Sequence, residues 1–233
     1  MTDLSERIAA NLARIQTQIA VAAARSGRSP SSVKLVAATK YVDFEKVRAA
    51  IELGCVDLGE SRPQDIWSRS AAIADLGVRW HLIGHLQRNK IRRTLPLVSL
   101  IHSVDSERLL AALEPEAAAL GRSIDVLLEV KISADPNKTG FEPGMLESLL
   151  SGLAAYPHVQ VRGLMGMAGL EEAQADPARE FAALRELRDR LGPACPAGVS
   201  LGELSMGMSG DFIAAIEQGA TLVRIGSALF SDT

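Results

Sequence analysis

The stretch Leu204-Ser-Met-Gly-Met-Ser-Gly-Asp211 is followed, after a short helical pattern, by Thr221-Leu-Val-Arg-Ile-Gly-Ser-Ala-Leu-Phe230. Both halves have one grammar: a short apolar run, then small residues that let backbone N–H groups approach an anion, then the opening of a helix. After Leu201 to Leu204 come Gly207, Ser209 and Gly210, and the spacing of Phe212, Ile213 and Ile216 predicts a helix starting near Ser209 or Gly210, with Ser209 as its N-cap. Leu222, Val223 and Ile225 read as a buried strand with Gly226 and Ser227 at its carboxyl end. Singly, each is an ordinary strand-to-helix loop. As neighbours they match the last two loops of a (β/α)8 barrel, where that fold frequently binds phosphate. Arg224 lies inside the second apolar strand, and a buried guanidinium requires a partner, either a carboxylate on a neighbouring strand or a planar or anionic ligand.

The rest of the chain supplies the other elements of such a barrel. Leu4, Ile8, Leu12, Ile15 and Ile19 recur at helical spacing, which predicts an extra N-terminal helix from about Asp3 to Arg25. Short apolar runs then alternate with helical patterns: strands at Leu35 to Ala38, Val56 to Leu58, Trp80 to Ile83, Leu100 to Ser103, Asp125 to Lys131 and Val159 to Leu164. Helices are expected at Phe44 to Leu53, Pro63 to Leu76, Gln87 to Thr94, Ser106 to Leu120, Pro143 to Ala155 and Pro177 to Leu191. With the two C-terminal strands this makes an unbroken β/α alternation, and we expect one closed (β/α)8 barrel domain over residues 1–233. An open doubly wound sheet has the same element order, but no Gly-x-Gly-x-x-Gly follows the first strand to favour a dinucleotide fold.

Composition narrows the function classes. A formal charge of −3 offers no electrostatic footprint for nucleic acid or an anionic membrane, and the basic group Arg88, Lys90, Arg92 and Arg93 reads as solvated helix surface. Two cysteines, Cys55 and Cys195, cannot build a disulfide framework, and no secretory pattern opens the chain, so a cytoplasmic location is expected. The protein is separately expected to be a monomer. His81, His85, His102 and His158 form no recognisable ligand set, and no metal is expected.

In a parallel barrel, functional side chains gather at the carboxyl ends of strands. Lys40 follows Val36-Ala-Ala-Thr at the end of the first strand, and the spacing allows either a lysine reaching solvent or a partly desolvated amine at the barrel mouth able to form a Schiff base. A phosphate-bearing aldehyde would satisfy Lys40, the two turns and Arg224 together.

The motifs Val36-Ala-Ala-Thr-Lys40, Gly59-Glu-Ser61, Trp80-His-Leu-Ile-Gly84 with Leu86-Gln-Arg-Asn-Lys90, Gly163-Leu-Met165, Leu204 to Asp211 and Val223-Arg-Ile-Gly-Ser227 occur in register over nearly the whole chain. Together they resemble the pyridoxal phosphate homeostasis protein family, whose barrel is like the N-terminal domain of alanine racemase. The resemblance implies pyridoxal 5′-phosphate (PLP) joined as a Schiff base to Lys40, its phosphate at Ser209 and the amides of Gly226 and Ser227, Arg224 facing the pyridine nitrogen and Met165 packed near the ring. Ser61 stands where family members often carry Asn, which shortens or removes an amide contact to the cofactor. His85 replaces a common Pro. Lys138, in Asn137-Lys-Thr-Gly140, is the second-choice amine, with a surface role as its alternative.

The resemblance further implies a carrier or buffer of PLP and other B6 vitamers, with PLP-dependent apo-enzymes as recipients and no catalytic residue. An amino-acid racemase is the rival function: it would need a second acid/base across the substrate from Lys40, which related racemases take from a tyrosine of a further domain. Here Tyr41 and Tyr156 are the only tyrosines, and Tyr41 is expected to pack against the barrel rim. A lysine Schiff-base aldolase acting on a sugar phosphate is a third possibility.

Overall fold

The computed structural model describes residues 3–133, 139–169, 176–196 and 199–231. Eight parallel strands close into a barrel in sequence order: β1 (Lys34–Ala38), β2 (Asp57–Glu60), β3 (Arg79–Leu82), β4 (Val98–Val104), β5 (Ile124–Glu129), β6 (Val159–Met165), β7 (Glu203–Ser205) and β8 (Leu222–Ile225). Closure is made by β8 pairing with β1, with Val36 opposite Arg224. The open-sheet alternative is thereby removed.

Around the barrel run α1 (Asp3–Arg25), α2 (Phe44–Glu52), α3 (Pro63–Ser70), α4 (Ile91–Thr94), α5 (Glu107–Ala119), α6 (Leu146–Ser151), α7 (Pro177–Leu191), α8 (Phe212–Glu217) and α9 (Ser227–Phe230). α1 is the extra helix, and it buries Ile8, Leu12, Ile15 and Ile19 as the spacing predicts. Three expected helices are broken. That expected at Pro63 to Leu76 ends as α3 at Ser70, with a separate 3₁₀ turn at Ala74–Leu76. After Gln87 comes a 3₁₀ turn, Arg88–Lys90, then the single turn of α4, then a second 3₁₀ turn, Leu95–Leu97, with Pro96 inside it. Pro143–Met145 and Leu153–Ala155 are 3₁₀ turns flanking α6, the second following Gly152, a poor helix former.

Strand periodicity of two assigns side chains to two cores. Leu58, Leu82, Ile101, Leu204, Val223 and Ile225 point outward into the layer beneath the helices. A smaller cluster, Val36, Leu100, Leu127, Met165 and Leu222, fills part of the barrel interior. Arg224 has the parity of Leu222 and therefore points inward, as do His102 beside Leu100 and Ser205 after the outward Leu204. Gly163 is required by close approach, because a Cβ there would overlap the Glu203 carbonyl of the neighbouring β7.

α1 lies across the β1–β8 closure. Asn11 Nδ2 donates to the carbonyls of Leu229 (3.2 Å) and Ser231 (3.3 Å), and Arg14 donates to that of Ala228 (3.2 Å). No described helix is long and apolar enough to cross a membrane.

Candidate functional site

At the carboxyl end of β1 the backbone carrying Lys40 is fastened by one guanidinium. Arg69 on α3 donates to the carbonyls of Thr39 (3.1 Å) and Val42 (2.7 Å), on either side of Lys40-Tyr41, and its Nη1 lies 2.8 Å from Glu60 Oε1. Thr39 adds its hydroxyl to the same Glu60 oxygen (2.6 Å) and its N–H to the Gly59 carbonyl (2.9 Å). Glu60 is fully buried, its Oε2 has no hydrogen-bond partner among the described residues, and burial raises its pKa against the opposing pull of Thr39 and Arg69.

Between those two anchors the chain turns sharply. Tyr41 has φ 61°, a left-handed conformation that costs a non-glycine residue about 1–3 kcal/mol. That turn throws its ring outward: Tyr41 is 83% exposed, not packed against the rim, with the Arg62 guanidinium 5.5 Å from its ring centre. Lys40 is likewise exposed rather than partly desolvated, and it borders a cavity. That cavity, about 310 Å³, is lined by Ala38, Lys40, Lys46, Gly226, Ser227 and Phe230 among others, so Lys40 and the β8 turn share one space.

The turns after β7 and β8 meet through Ser209. Its Oγ accepts from the backbone N–H of Gly226 (3.2 Å) and of Ala228 (3.2 Å). Ser209 is therefore not the N-cap expected from the sequence: α8 begins later, after Asp211, whose Oδ1 accepts from Met208 N–H (2.5 Å). Gly207 permits this turn, with φ +92° and only 2.6 Å from where its Cβ would lie to the Ala215 Cβ. Two backbone donors of the β8 turn thus converge on one oxygen atom of the β7 turn.

Arg224 is 4% exposed inside the barrel. Its partners are neutral: Nη1 donates to Ser205 Oγ (2.6 Å) and Nη2 to the Gly166 carbonyl (3.2 Å). Among the described residues no carboxylate reaches it within ion-pair distance; Asp211 and Glu129 act from farther away. Burial lowers its pKa to about 10 against their opposing pull. The salt-bridge alternative is not what the structure contains. Met165 is fully buried inside the barrel, level with Ser205 on one side and Glu129 on the other. Ser61 follows β2 but does not line the cavity of Lys40, and Lys138 lies outside the described residues.

Several contributors escape the sequence reading. Glu60, Arg69 and Thr39 fasten the Lys40 loop. Glu129 is buried at the end of β5, takes the Thr139 hydroxyl (2.9 Å), and has its pKa raised chiefly by burial. Ser205 holds Arg224, and behind it stand His102 and His81. Their signal is polar residues interrupting apolar strands, the same signal that marks Arg224.

A primary amine, a turn whose amides already gather on an oxygen, and a buried guanidinium lacking an anionic partner fit a ligand with an aldehyde, a phosphate and an acceptor ring atom. Barrel and site together define the class of the alanine racemase N-terminal domain, and the sequence profile of that domain matches residues 7–233. The pyridoxal phosphate homeostasis protein of Aquifex aeolicus is 39% identical over 221 residues, covering 95% of this chain and 96% of that protein. Its counterpart from Pseudomonas aeruginosa is 37% identical, covering 96% and 94%. The chain belongs to the pyridoxal phosphate homeostasis protein family. The solved structure of PipY from Synechococcus elongatus, with PLP bound, superposes with TM-score 0.83 at 36% identity, covering 96% of this chain and all of that one.

Proposed function

We propose that this protein is a single-domain, cytoplasmic and monomeric PLP carrier that contributes to intracellular B6 homeostasis, holding the cofactor and yielding it to PLP-dependent apo-enzymes without robust turnover of its own. The observation that carries the proposal is the shared cavity of Lys40 with the Gly226–Ser227 turn, above a buried Arg224 that has no carboxylate partner among the described residues.

Bound PLP supplies an aldehyde that condenses with amines and a ring that withdraws electrons. Lys40 is the amine, on a loop held by Arg69 and open to solvent, so that an incoming amine can reach the same carbon. Ser209 and the backbone amides of Gly226 and Ser227 are the phosphate site, and Met165 packs near the ring. Arg224 donates to the ring nitrogen. A guanidinium has no proton acceptor and stays charged, so it keeps that nitrogen unprotonated and weakens the ring as an electron sink. Racemisation would need an acid/base facing Lys40 across the substrate. Tyr41 points to solvent against Arg62, and Tyr156 precedes β6 at the other end of the barrel, which supports a carrier rather than a racemase.

An absorbance spectrum from roughly 300 to 500 nm, before and after borohydride, with mapping of the modified peptide, tests the attachment. A reducible band traced to Lys40 and lost in Lys40→Ala is expected. A band persisting in that variant moves the attachment to Lys138 or elsewhere. A colourless protein that takes up no added PLP overturns the proposal in favour of a phosphosugar barrel. Incubation with single L-amino acids is expected to give no D-isomer.

A further inference from the structure

An unbroken hydrogen-bonded chain runs inside the barrel from Arg224 toward the opposite mouth. Arg224 meets Ser205 Oγ (2.6 Å), Ser205 Oγ meets His102 Nδ1 (2.7 Å), and His102 Nε2 meets His81 Nδ1 (2.9 Å). His81 Nε2 meets Asp57 Oδ1 (3.0 Å), and Asp57 is clasped by Arg79 at 2.7 and 2.6 Å. Ser205 and His102 are fully buried and His81 is 5% exposed, so each polar atom depends on its neighbour in the chain.

Counting protons assigns a direction. Arg224 can only donate, so Ser205 Oγ accepts from it and has its own proton to give. Ionised Asp57 can only accept, and against burial the hydrogen bonds from His81 and Arg79, with the charge of Arg79, hold its pKa well below the carboxylate range. With both histidines neutral, one arrangement satisfies every contact. Ser205 O–H donates to His102 Nδ1, His102 Nε2–H donates to His81 Nδ1, and His81 Nε2–H donates to Asp57. The reverse sense would have His102 Nδ1–H donate to Ser205, and would then place a bare His81 Nε2 against the carboxylate unless His81 took a second proton.

We infer that His102 and His81 are positioning residues for Arg224: held by Asp57 as Nε2–H tautomers, they turn the Ser205 hydroxyl away from Arg224 so that its lone pair fixes the guanidinium. Burial and the charge of Arg224 favour neutral His102, which agrees with this sense. The geometry concerns this chain alone; its effect on the ligand rests on the PLP proposal above.

Two measurements test it. Long-range ¹H–¹⁵N spectra of the ligand-free protein at neutral pH should show His102 and His81 each with Nε2 protonated and Nδ1 bare; a protonated Nδ1 on His102, or a doubly protonated His81, overturns the inference. The second compares PLP affinity and the absorption maximum of bound PLP in Ser205→Ala, His102→Leu and His102→Asn, the last retaining an oxygen near the place of Nδ1. Ser205→Ala and His102→Leu should lose about tenfold in affinity, one hydrogen bond to a charged group, and shift the maximum in the same direction. His102→Asn should restore both. A folded His102→Leu protein with unchanged affinity and spectrum overturns the positioning role. Should the unmodified protein take up no PLP, the functional proposal fails while the tautomers still decide the direction of the chain, and they do so equally if a variant does not fold.

Discussion

Replacing Arg69 by Ala removes the cation from a carboxylate that has no other cationic partner among the described residues. Glu60 is fully buried, its Oε1 shared between Arg69 at 2.8 Å and Thr39 at 2.6 Å, its Oε2 bare. Leaving one member of a buried pair costs about 3–5 kcal/mol. For a chain of this length that lowers the melting temperature by roughly 10 °C, at about 2–4 °C per kcal/mol. The pH dependence identifies the cause. Burial already raises the Glu60 pKa, and removing Arg69 raises it further above the ordinary 4.5. For a carboxyl whose folded pKa is raised, the penalty is absent below the unfolded pKa, grows as pH climbs toward the folded value and is complete above it. Urea unfolding of Arg69→Ala and its parent should therefore differ most near about pH 8 and much less near about pH 5, where only the lost bonds to the Thr39 and Val42 carbonyls remain. Adding Glu60→Gln should remove the pH slope yet leave the Lys40 loop unfastened, so that PLP uptake stays impaired. A difference under about 1 kcal/mol, or one that does not vary with pH, would refute the assignment of Glu60 as a buried charge held by Arg69.

Glu129→Gln should be more stable than its parent at neutral pH and equal to it near about pH 4, because burial raises the Glu129 pKa and its ionisation opposes folding; parallel thermal melts across pH check this. Gly207→Ala combines a positive φ with a Cβ 2.6 Å from that of Ala215, and should cost about 2–4 kcal/mol in chemical denaturation; if Ser209 belongs to the proposed phosphate site, its displacement should also weaken PLP uptake. Burial pushes the Cys55 thiol up to about 11, so a thiol reagent at about pH 8 should reach Cys55 only on unfolding, and early modification of the native protein would contradict its burial.

The barrel is legible in the sequence because each strand is a short apolar run followed by a helix that buries one stripe, and both periods survive in a single chain. Residues at strand ends, Lys40, Ser209, Gly226 and Ser227, stand out because their position after an apolar run carries meaning in this fold. Arg224 stands out as a charge within such a run. By the same criterion Asp57, His81, His102 and Ser205 qualify too. Each is nonetheless short or only weakly polar against its background, and nothing in the order of residues tells that β2, β3, β4 and β7 deliver them to one line through the interior. That line exists only once closure fixes the register. Propensity places Ser209 at a helix start because Ser and Gly open helices, whereas here the hydroxyl is committed across space to the β8 turn. The outward ring of Tyr41 has no sequence signal, since its left-handed backbone is imposed by Arg69 gripping the carbonyls on both sides.

The closure between β1 and β8, with α1 bonded across it, has a meaning for the order in which the molecule is made. Asn11 waits for a carbonyl 218 residues further on, a delay of roughly 10–40 s at ordinary rates of translation. The joint that completes the barrel can form only once β8 has been made, and Lys40 and the Gly226 turn stand on its two sides. A ligand bridging them would act as a staple across that seam, joining the first strand to the last.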